Sequence, residues 1–474
     1  MRGDGPAPWA PVRDPADLPA RLAAHRAGFA LDAVPDLAGR RRRLDALAEA
    51  IRGRRDRVLR AISDDFGHRA EIEILTADYG FTLDTIAHIR RRLSAWMRPG
   101  RRTVLRPMPG RVEIRREPKG VVGILSPWNY PLQLALVPLA TAVAAGNRVM
   151  LKPAERSPRT AEILAEIVSD ALPMEEASVA LGEADMGAAF AALPFDHLFF
   201  TGNAEVGRRV MRAAAEYLTP VTLELGGRSP AVAMPDADPR LHGAQVAWGR
   251  WFAAGQTCVA CDHLWVPRGT AGDWADALLD HARGFLAGDG APDYTNMIDA
   301  RARRRIEAMV EEARAAGAEI RAVDLPAVRG GAYRPTVVLR APPHVALMRE
   351  EVFGPVLPIL EYDDPADVVA AAAREPHPLA AYAFGRDAAA ARALLLRMRS
   401  GSAAVNAAIV HLAVHDAPFG GIGASGMGAY HGERGFLTFS HERTVYTAWS
   451  ARAAAMAAPP YASAVRRAIG WMTR

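Results

Sequence analysis

The sequence is short of cysteine and lysine. Its 474 residues include only 2 cysteines, which excludes a disulfide-stapled miniprotein and favours a reducing compartment, the cytoplasm. Lys119 and Lys152 are the only lysines. Because arginine supplies nearly every other cationic side chain, we interpret the arginine run at 40–43 as a solvated helix face and not as a nucleic-acid patch.

An excess of one charge is also missing. The 58 Lys and Arg residues and 53 Asp and Glu residues leave a formal net charge of +5, which does not indicate a nucleic-acid partner. Half of the residues are hydrophobic and 23% are charged, the composition of a folded globular protein. The length predicts two or three domains.

Uninterrupted hydrophobic runs are scarce as well. The uncharged stretch 120–147 is long enough to span a bilayer, but Pro127, Pro131 and Pro138 interrupt it, and we reject a membrane span. The N-terminal residues lack a basic start followed by an apolar run, so we do not expect a secretory signal. For the C-terminal tail, 447–474, we favour packing on the protein or on a subunit neighbour over association with a membrane surface.

Strand and helix patterns alternate along most of the chain. Residues 15–95 carry apolar side chains at helical spacing, and an alternating pattern predicts a β-hairpin arm over 103–116. Beyond it, short apolar runs alternate with helical patterns, which predicts an α/β fold with mostly parallel sheets covered on both faces. The predicted strands include 121–125, 148–152, 197–201 and 221–225, and the predicted helices include 132–145, 204–216, 245–252 and 306–315.

Three side chains are candidates for covalent catalysis. Cys258 follows Gly255 in a turn beside a predicted helix, where backbone N–H groups can lower a thiol pKa. An isolated cysteine is more often a small buried hydrophobe. Glu224 ends a predicted strand beside two glycines, where a carboxylate can serve as a base. Asn129 lies on a proline-bracketed turn, where its amide can donate to a developing oxyanion.

Two nucleotide-binding signatures are rejected. Residues 421–426 fit G-x-G-x-x-G, but they lie in a glycine-dense loop near the C-terminus and not between a strand and a helix of an early βαβ unit. No G-x-x-x-x-G-K-[ST] motif occurs, which disfavours a P-loop nucleotide hydrolase.

Seven motifs, in order along the chain, resemble the aldehyde dehydrogenase superfamily from about Leu44 to Tyr446. They are Pro127-Trp128-Asn129-Tyr130-Pro131, Leu151-Lys152-Pro153-Ala154-Glu155, Phe200-Thr201-Gly202-Asn203, Leu223-Glu224-Leu225-Gly226-Gly227, Gly255-Gln256-Thr257-Cys258, Glu351-Val352-Phe353-Gly354-Pro355 and Pro418-Phe419-Gly420-Gly421. Asp65-Phe66-Gly67-His68-Arg69 and the stretch from Ser425 to Gly432 are similar to the class-3 branch, and most of all to bacterial coniferyl aldehyde dehydrogenases.

The resemblance implies NAD(P)-dependent oxidation of an aldehyde to its carboxylic acid. Cys258 would attack the carbonyl carbon, while the Asn129 amide and the Cys258 backbone N–H hold the oxyanion. The thiohemiacetal would lose hydride to the cofactor, and Glu224 would activate the water that hydrolyses the thioester. The branch suggests aromatic aldehydes such as coniferaldehyde, or medium- to long-chain aliphatic ones.

The resemblance also implies a cofactor site and no metal. Lys152 and Glu155 would contact the adenosine ribose, and Glu351 would hold the nicotinamide ribose. The N-terminus of the helix after Thr201 would face the pyrophosphate. The other cofactor-binding positions are Trp128, Phe200, Gly202, Val206, Leu225 and Phe353, although Phe353 is alternatively an ordinary core aromatic. Glu155 favours NAD because it would repel a 2′-phosphate, but the branch often accepts both NAD and NADP.

By the same resemblance we predict two Rossmann-type parallel-sheet domains plus the β-hairpin oligomerisation arm, and a homodimer. The predicted division is a NAD-binding domain at 1–100 and 119–224, a catalytic thiol domain at 225–402, a bridging and oligomerisation arm at 101–118 and 403–446, and the tail at 447–474.

Other interpretations stay open. A CoA-acylating dehydrogenase usually lacks a base like Glu224, and a cofactor-free thiol acyl transferase has no need of the cofactor residues. The intact set of Asn129, Glu224 and Cys258 argues against an inactive scaffold. Cys261 replaces a common proline, and its spacing from Cys258 permits a reversible disulfide if the backbone lets the side chains meet. Ala253 replaces a common asparagine, for which we expect altered packing and no lost chemistry. His411 and Tyr130 are candidates for an aldehyde tunnel, and a structural histidine is at least an equal alternative.

Overall fold

The computed structural model of the chain describes residues 9–105, 108–288, 291–323, 331–455 and 458–472. The α-helices are α1 (Leu18–Leu31), α2 (Leu37–Arg52), α3 (Arg55–Asp65), α4 (Glu71–Glu73), α5 (Phe81–Trp96), α6 (Gln133–Ala145), α7 (Pro158–Ala171), α8 (Ala184–Ala191), α9 (Ala204–Ala215), α10 (Pro239–Trp251), α11 (Ala271–Phe285), α12 (Ala300–Ala315), α13 (Ala346–Arg349), α14 (Pro365–Ala372), α15 (Ala388–Leu396), α16 (Gly432–Thr438), α17 (Ala451–Ala455) and α18 (Ser463–Met472). A π-helix, Ile74–Gly80, joins α4 to α5.

The strands form three sheets. They are β1 (Gly100–Val104), β2 (Gly110–Pro118), β3 (Val121–Leu125), β4 (Arg148–Lys152), β5 (Ala177–Val179), β6 (His197–Thr201), β7 (Val221–Glu224), β8 (Pro230–Ala233), β9 (His263–Pro267), β10 (Glu319–Ala322), β11 (Thr336–Leu339), β12 (Val356–Tyr362), β13 (Ala380–Phe384), β14 (Ser402–Val405), β15 (Gly426–Met427) and β16 (Ser440–Ala448).

The first sheet has six strands in the order β15-β7-β6-β3-β4-β5. Strands β3 to β7 pair in parallel, and every residue of β3 and β4 is buried. Continuous apolar runs of this kind need cover on both faces, which crossover helices such as α6 and α7 supply. The predicted parallel sheet is confirmed here.

The second sheet has seven strands in the order β10-β11-β12-β9-β8-β13-β14. Its strands are parallel except for the edge strand β10, which runs antiparallel to β11. The predicted α/β fold with two Rossmann-type sheets is thus confirmed. The predicted division of the chain into domains stays a prediction.

The third sheet is antiparallel, in the order β1-β2-β16. Strands β1 and β2 form the predicted hairpin, of which residues 106 and 107 lie outside the described part. Strand β16 joins β2 along nine residue pairs, from Ser440 opposite Pro118 to Ala448 opposite Gly110. The C-terminal segment therefore returns to the hairpin and completes the arm.

Two predicted helices begin earlier than the periodicity indicates. Helix α10 begins at Pro239 because Asp238 caps its first turn through the backbone N–H groups of Arg240 and Leu241. Helix α12 begins at Ala300, where the Asp299 carboxylate accepts from the backbone N–H of Ala302. Both starts follow an aspartate N-cap, a signal that lies outside the apolar pattern.

The C-terminal tail presents large apolar side chains to solvent. Trp449 is 59% exposed and Trp471 is 73% exposed within the single chain. The expected packing of the tail on the protein or on a subunit neighbour stays a prediction. Within the described residues, no helix has the length and apolar character needed to cross a membrane.

Candidate active site

The predicted site residues gather where neighbouring parallel strands end. Lys152 is the last residue of β4, Thr201 of β6 and Glu224 of β7, and Asn129 follows β3 by four residues. These strands are neighbours in the order β7-β6-β3-β4. In open α/β sheets, ligands bind in the crevice outside the carboxyl ends of the strands, so the sheet brings these side chains to one binding edge.

Glu224 is a buried carboxyl group without a partner. Only 2% of the residue is exposed, and neither carboxyl oxygen has a hydrogen-bond partner among the described residues. Burial raises its pKa well above the ordinary value. Buried polar groups are nearly always paired, so an unpaired one beside a cleft indicates a group reserved for a ligand, a water or a proton.

The loop before Cys258 has an unusual backbone. Ala253 and Ala254 adopt left-handed conformations, with φ of 51° and 53°, which cost roughly 1–2 kcal/mol each for a residue with a β-carbon. The buried carboxylate of Glu73 accepts from the Ala253 N–H at 2.9 Å and from the Thr295 hydroxyl at 2.6 Å. Contacts of this kind maintain strain at functional sites.

Cys258 is partly exposed in the turn that follows this loop. Burial, followed by the nearby carboxyl groups of Glu351 and Glu224, raises the pKa of its thiol to about 12. The two carboxyl groups therefore lie close to the sulfur, although Glu351 is distant from Cys258 in sequence. Without a ligand, Cys258 is a protonated thiol at neutral pH.

Asn129 contacts the nucleophile loop directly. Its side-chain amide donates to the Gln256 carbonyl at 3.0 Å, and only 5% of the residue is exposed. An amide has two N–H groups, so this bond leaves one for another acceptor. The neighbouring Tyr130 hydroxyl lies 2.5 Å from the Thr257 hydroxyl. The structure thus brings together Asn129, Glu224 and Cys258, as the sequence analysis predicts.

Glu351 lies against the glycines that follow Glu224. A β-carbon on Gly226 would overlap its carboxylate, so only glycine leaves room for it. Burial, followed by the Asp262 charge, raises the pKa of Glu351 to about 8. A proton held near neutrality in a cleft is typical of a functional carboxyl group.

Two aromatic side chains, Phe353 and Trp128, pack together with the Arg156 guanidinium. Phe353 has a φ of 44°, and its ring meets the Trp128 ring edge-on, with centroids 5.6 Å apart. The Arg156 guanidinium lies 4.4 Å from the Trp128 ring centroid and bonds Asp299 at 2.5 and 2.8 Å. Trp128 and Phe353 are both partly exposed, which argues against the alternative of an ordinary core aromatic.

Lys152 and Glu155 form an ion pair at 3.1 Å, in which Lys152 is 4% exposed. Although burial opposes it, the backbone and Lys152 hold the pKa of Glu155 below its ordinary value, so the carboxylate is ionised at neutral pH. Beside it is a cavity of about 320 Å³. Its lining consists of Arg13, Pro153, Ala154, Glu155, Pro158, Ala161, Glu162, Leu181, Gly182 and Glu183.

The turn between β6 and α9 is tightly packed. A β-carbon on Gly202 would lie 2.5 Å from the Phe200 ring, and one on Gly207 would lie 2.9 Å from Leu225. The Thr201 hydroxyl is buried without a hydrogen-bond partner among the described residues.

The first turn of α9, by contrast, is open to solvent. Val206 there is 37% exposed, and its backbone N–H donates to the Asn203 side chain. The helix N-terminus is thus exposed beside the end of β6, at the place predicted from the sequence for the cofactor pyrophosphate.

Several features near the site escape sequence reasoning. Glu73 and Asp78 are buried carboxylates in a region predicted only as amphipathic helix, and the lone signal in the sequence is an acidic residue on an otherwise apolar face. The rejected G-x-G-x-x-G segment lies beside the site. Its Gly426, in β15, pairs antiparallel with Glu224 of β7, so the segment lies outside any βαβ unit, but its last residue belongs to a short strand and not to a loop.

Cys261 and His411 are two further residues that the sequence singles out. Cys261 is fully buried, and both cysteines are free thiols. The reversible disulfide stays a prediction. His411 bonds the Ser402 hydroxyl at 2.8 Å, and its ring meets Tyr382 edge-on. The structural interpretation of His411 therefore has support.

Residues 10–445 match the profile of the aldehyde dehydrogenase family. The chain belongs to the aldehyde dehydrogenase family. It is 38% identical over 414 residues to a coniferyl aldehyde dehydrogenase from a Pseudomonas strain, a match covering 85% of each chain. It is 35% identical to mouse aldehyde dehydrogenase family 3 member B1, over 84% of this chain and 85% of the mouse one. The class-3-like resemblance is thus confirmed.

The fold of this aldehyde dehydrogenase matches a solved relative. A substrate-bound Staphylococcus aureus AldH structure superposes with a TM-score of 0.90 at 31% identity, covering 96% of this chain and 99% of that one. The fold of this chain therefore belongs to a known architecture.

Proposed function

We propose that the protein oxidises an aldehyde to its carboxylic acid through a covalent intermediate on Cys258. The observation that carries the proposal is the convergence of the Cys258 thiol, the Asn129 amide on the thiol loop, and the unpartnered carboxyl group of Glu224. A nucleophile, an oxyanion donor and a base are the three groups that acyl transfer through sulfur requires.

Each group has one role in the proposed reaction. The Cys258 thiol releases its proton to water, and the resulting thiolate forms a C–S bond to the carbonyl carbon. The free N–H of the Asn129 amide, with the Cys258 backbone N–H, stabilises the oxyanion. A nicotinamide dinucleotide, when bound, supplies the hydride acceptor that turns the thiohemiacetal into a thioester. Glu224 then accepts a proton from the water that cleaves the C–S bond and releases the acid.

The residues present fit a nicotinamide dinucleotide. We propose that Lys152 and Glu155 hold the adenosine ribose, because an ion pair beside a cavity of about 320 Å³ suits a sugar with two hydroxyls. Glu351 and Phe353, with Trp128 behind them, are the proposed partners of the nicotinamide half. The tight turn of Phe200, Thr201 and Gly202, with Leu225 and Val206 beside it, is the proposed pyrophosphate site.

We propose that NAD is preferred over NADP. Among the residues that the structure describes, the cavity beside the ribose site is lined by the carboxylates of Glu155, Glu162 and Glu183 and by a single cation, Arg13, which is already paired with Glu162 at 2.8 Å. An excess of negative charge disfavours a 2′-phosphate at that place.

An aromatic aldehyde is the proposed substrate class. The Trp248 and Phe252 rings contact each other at a tilt of 50°, with centroids 5.1 Å apart, immediately before the nucleophile loop. Phe252, Tyr130, Leu134 and Ala77 pack as one apolar cluster with Ala253. The apolar wall beside Cys258 suits an aromatic ring or a long alkyl chain, and the Pseudomonas relative is named for coniferyl aldehyde.

We also propose a cytoplasmic homodimer. Strands β1 and β16 are the two edges of the arm sheet, and unpaired edges of this kind are a template for another chain. Two free thiols suit a reducing compartment.

The test is NADH absorbance with NAD and benzaldehyde, coniferaldehyde or hexanal, with and without CoA. We expect NADH without CoA, loss of turnover in Cys258→Ala, and near-normal turnover in the matched variant Cys261→Ala. NADH that depends on CoA would establish an acylating enzyme instead. No NADH from any aldehyde would leave the thiol acyl transferase or the scaffold.

A further inference from the structure

A buried ion pair lies beneath the turn that carries Asn129. Arg69 and Asp78 are 3.1 Å apart, and both side chains are 0% exposed. Arg69 ends the Asp65-Phe66-Gly67-His68-Arg69 motif, and Asp78 belongs to the π-helix Ile74–Gly80. The proposed reaction assigns neither residue a role, so their burial needs another explanation.

The pair holds both ends of the Asn129 turn. The Arg69 guanidinium donates to the Asn129 carbonyl at 2.7 Å. One oxygen of Asp78 accepts from the backbone N–H groups of Leu132 at 3.2 Å and Gln133 at 3.1 Å. Because each contact is to backbone, the pair fixes the path of the turn and therefore the direction of the Asn129 side chain.

Arg69 also contacts aromatic side chains that link the turn to the nucleophile loop. Its guanidinium lies 4.7 Å from the Tyr130 ring centroid and 5.0 Å from the Phe66 ring centroid, an attractive cation–π arrangement. The Tyr130 hydroxyl meets Thr257, the residue before Cys258. The guanidinium is thus linked to both sides of the site, through Asn129 and through Tyr130.

Stability alone does not explain the pair. Well-packed apolar side chains in place of a buried ion pair are often neutral or stabilising. Two of the three Arg69 nitrogens, Nε and Nη2, have no hydrogen-bond partner among the described residues, so the pair is not an optimised ionic network. Its distinctive property is the directed bond to the Asn129 carbonyl.

We propose that Arg69, held by Asp78, is a positioning residue that aims the Asn129 amide at the oxyanion. The inference rests on the proposed function, because it acts through the role proposed there for Asn129. A misplacement of a catalytic group by about 1 Å can cost on the order of 100-fold in rate. We therefore expect Arg69→Met to lower kcat/KM by about 10- to 100-fold.

The test is a double-mutant cycle between Arg69→Met and Asn129→Ala, read as kcat/KM for coniferaldehyde at saturating NAD. If Arg69 acts through Asn129, Arg69→Met changes kcat/KM by less than about twofold once Asn129 is alanine. A merely structural role would lower kcat/KM by the same factor in both backgrounds, and that result would overturn the inference. So would a single Arg69→Met variant with normal kcat/KM.

Two further variants keep the cycle interpretable. Asp78→Asn preserves shape and removes the charge that holds Arg69, so it substitutes for Arg69→Met if that variant does not fold, with the same expected non-additivity. Arg40→Met is the matched control, because Arg40 is also buried at 1% exposure but bonds the Pro35 and Ala144 carbonyls, away from the site. It should lower the melting temperature and leave kcat/KM unchanged.

Failure of the two proposals is distinguishable. Normal kcat/KM in Asn129→Ala would remove the proposed oxyanion role and the positioning inference with it. A slow Asn129→Ala beside a fast Arg69→Met would overturn the positioning inference alone and leave the proposed function intact.

Discussion

Charge states of single residues govern the reactivity of the site. Burial and the Glu351 and Glu224 carboxyl groups raise the pKa of the Cys258 thiol to about 12. The ligand-free enzyme therefore keeps its nucleophile protonated, and the unligated thiol is protected from alkylation and oxidation.

Removing a carboxylate should make the thiol more acidic. The Glu351 and Glu224 carboxyl groups both raise the pKa of Cys258, because negative charge near the sulfur opposes thiolate formation. We expect Glu351→Gln to shift the pH profile of iodoacetamide alkylation to lower pH, and Glu224→Gln to shift it less in the same direction. The assay uses a Cys261→Ser background so that one thiol reacts. A shift toward higher pH would contradict the assigned electrostatics.

The raised pKa of Glu224 predicts that turnover rises with pH. Because burial raises this pKa well above its ordinary value, the basic form of the carboxyl group appears over a higher pH range than that of a free glutamate. We expect kcat, where thioester hydrolysis limits it, to climb over that range, and Glu224→Gln to be slow by about 100- to 10,000-fold without that climb. Steady-state kcat against pH checks this. An unchanged slope in Glu224→Gln would mean that another group is the base.

The charge of Glu155 predicts coenzyme preference. Glu155→Gln removes one of the carboxylates beside the proposed ribose site, so repulsion of a 2′-phosphate weakens. We expect the ratio of kcat/KM for NADP to that for NAD to rise about tenfold, which corresponds to about 1.4 kcal/mol. Using the ratio separates charge repulsion from a general loss of cofactor binding, which would lower both values together.

At the scale of elements, the segment from α4 through the π-helix supports the nucleophile loop. Its Glu73 accepts from the Ala253 N–H and from the Thr295 hydroxyl, and so joins this segment to a left-handed loop more than a hundred residues away. The π-helix itself places Asp78 at the start of α6. Such π-turns often occur at functional sites.

Glu73 should be replaceable by an amide but not by a methyl group. Glu73→Ala leaves the buried Ala253 N–H without its acceptor, so we expect a loss of about 1–3 kcal/mol in the free energy of unfolding. Glu73→Gln can accept from Ala253 with its oxygen and donate to Thr295 with its nitrogen, and should lose less. Urea denaturation of the three proteins measures this. Equal losses would show that the carboxylate charge, and not the hydrogen bonds, matters.

At the scale of the whole molecule, the arm and the tail are surfaces that one chain leaves uncovered. Every residue of β1 up to Thr103 is exposed, and most of β16 is as well. Within one chain, the three-stranded sheet of the arm therefore leaves much of its surface exposed to solvent. A second copy would cover it.

Sedimentation equilibrium should therefore give twice the 51.0 kDa chain mass. Deleting residues 463–474 removes α18, whose Trp471 is 73% exposed, and should leave kcat/KM unchanged because α18 lies outside the site. A monomer from the intact chain would contradict the arm proposal. If the intact chain were a dimer and the truncated chain a monomer, the dimer interface would lie at the tail and not at the arm.

Local patterns predicted the regular elements well. Strands β3, β4 and β6 have the predicted bounds, because each is a short apolar run between turn signals. The starts of α10 and α12 were missed because an aspartate cap, and not apolar spacing, sets them. The π-helix could not be predicted, since its apolar spacing resembles an ordinary helix and its extra residue is stabilised by distant contacts.

The sequence by itself determined the family, the alternation of strands and helices, and the identity of the candidate nucleophile, base and amide. These follow from residue patterns within short stretches of the chain, which can be recognised without knowledge of tertiary contacts. Only the tertiary structure decided which carboxyl groups lie near Cys258, which backbone carbonyl accepts a hydrogen bond from Arg69, and why Glu224 has no partner among the described residues. Asn129 and Gln256 are 127 residues apart, and no local pattern encodes the desolvation or the contacts that arise when such distant segments pack together.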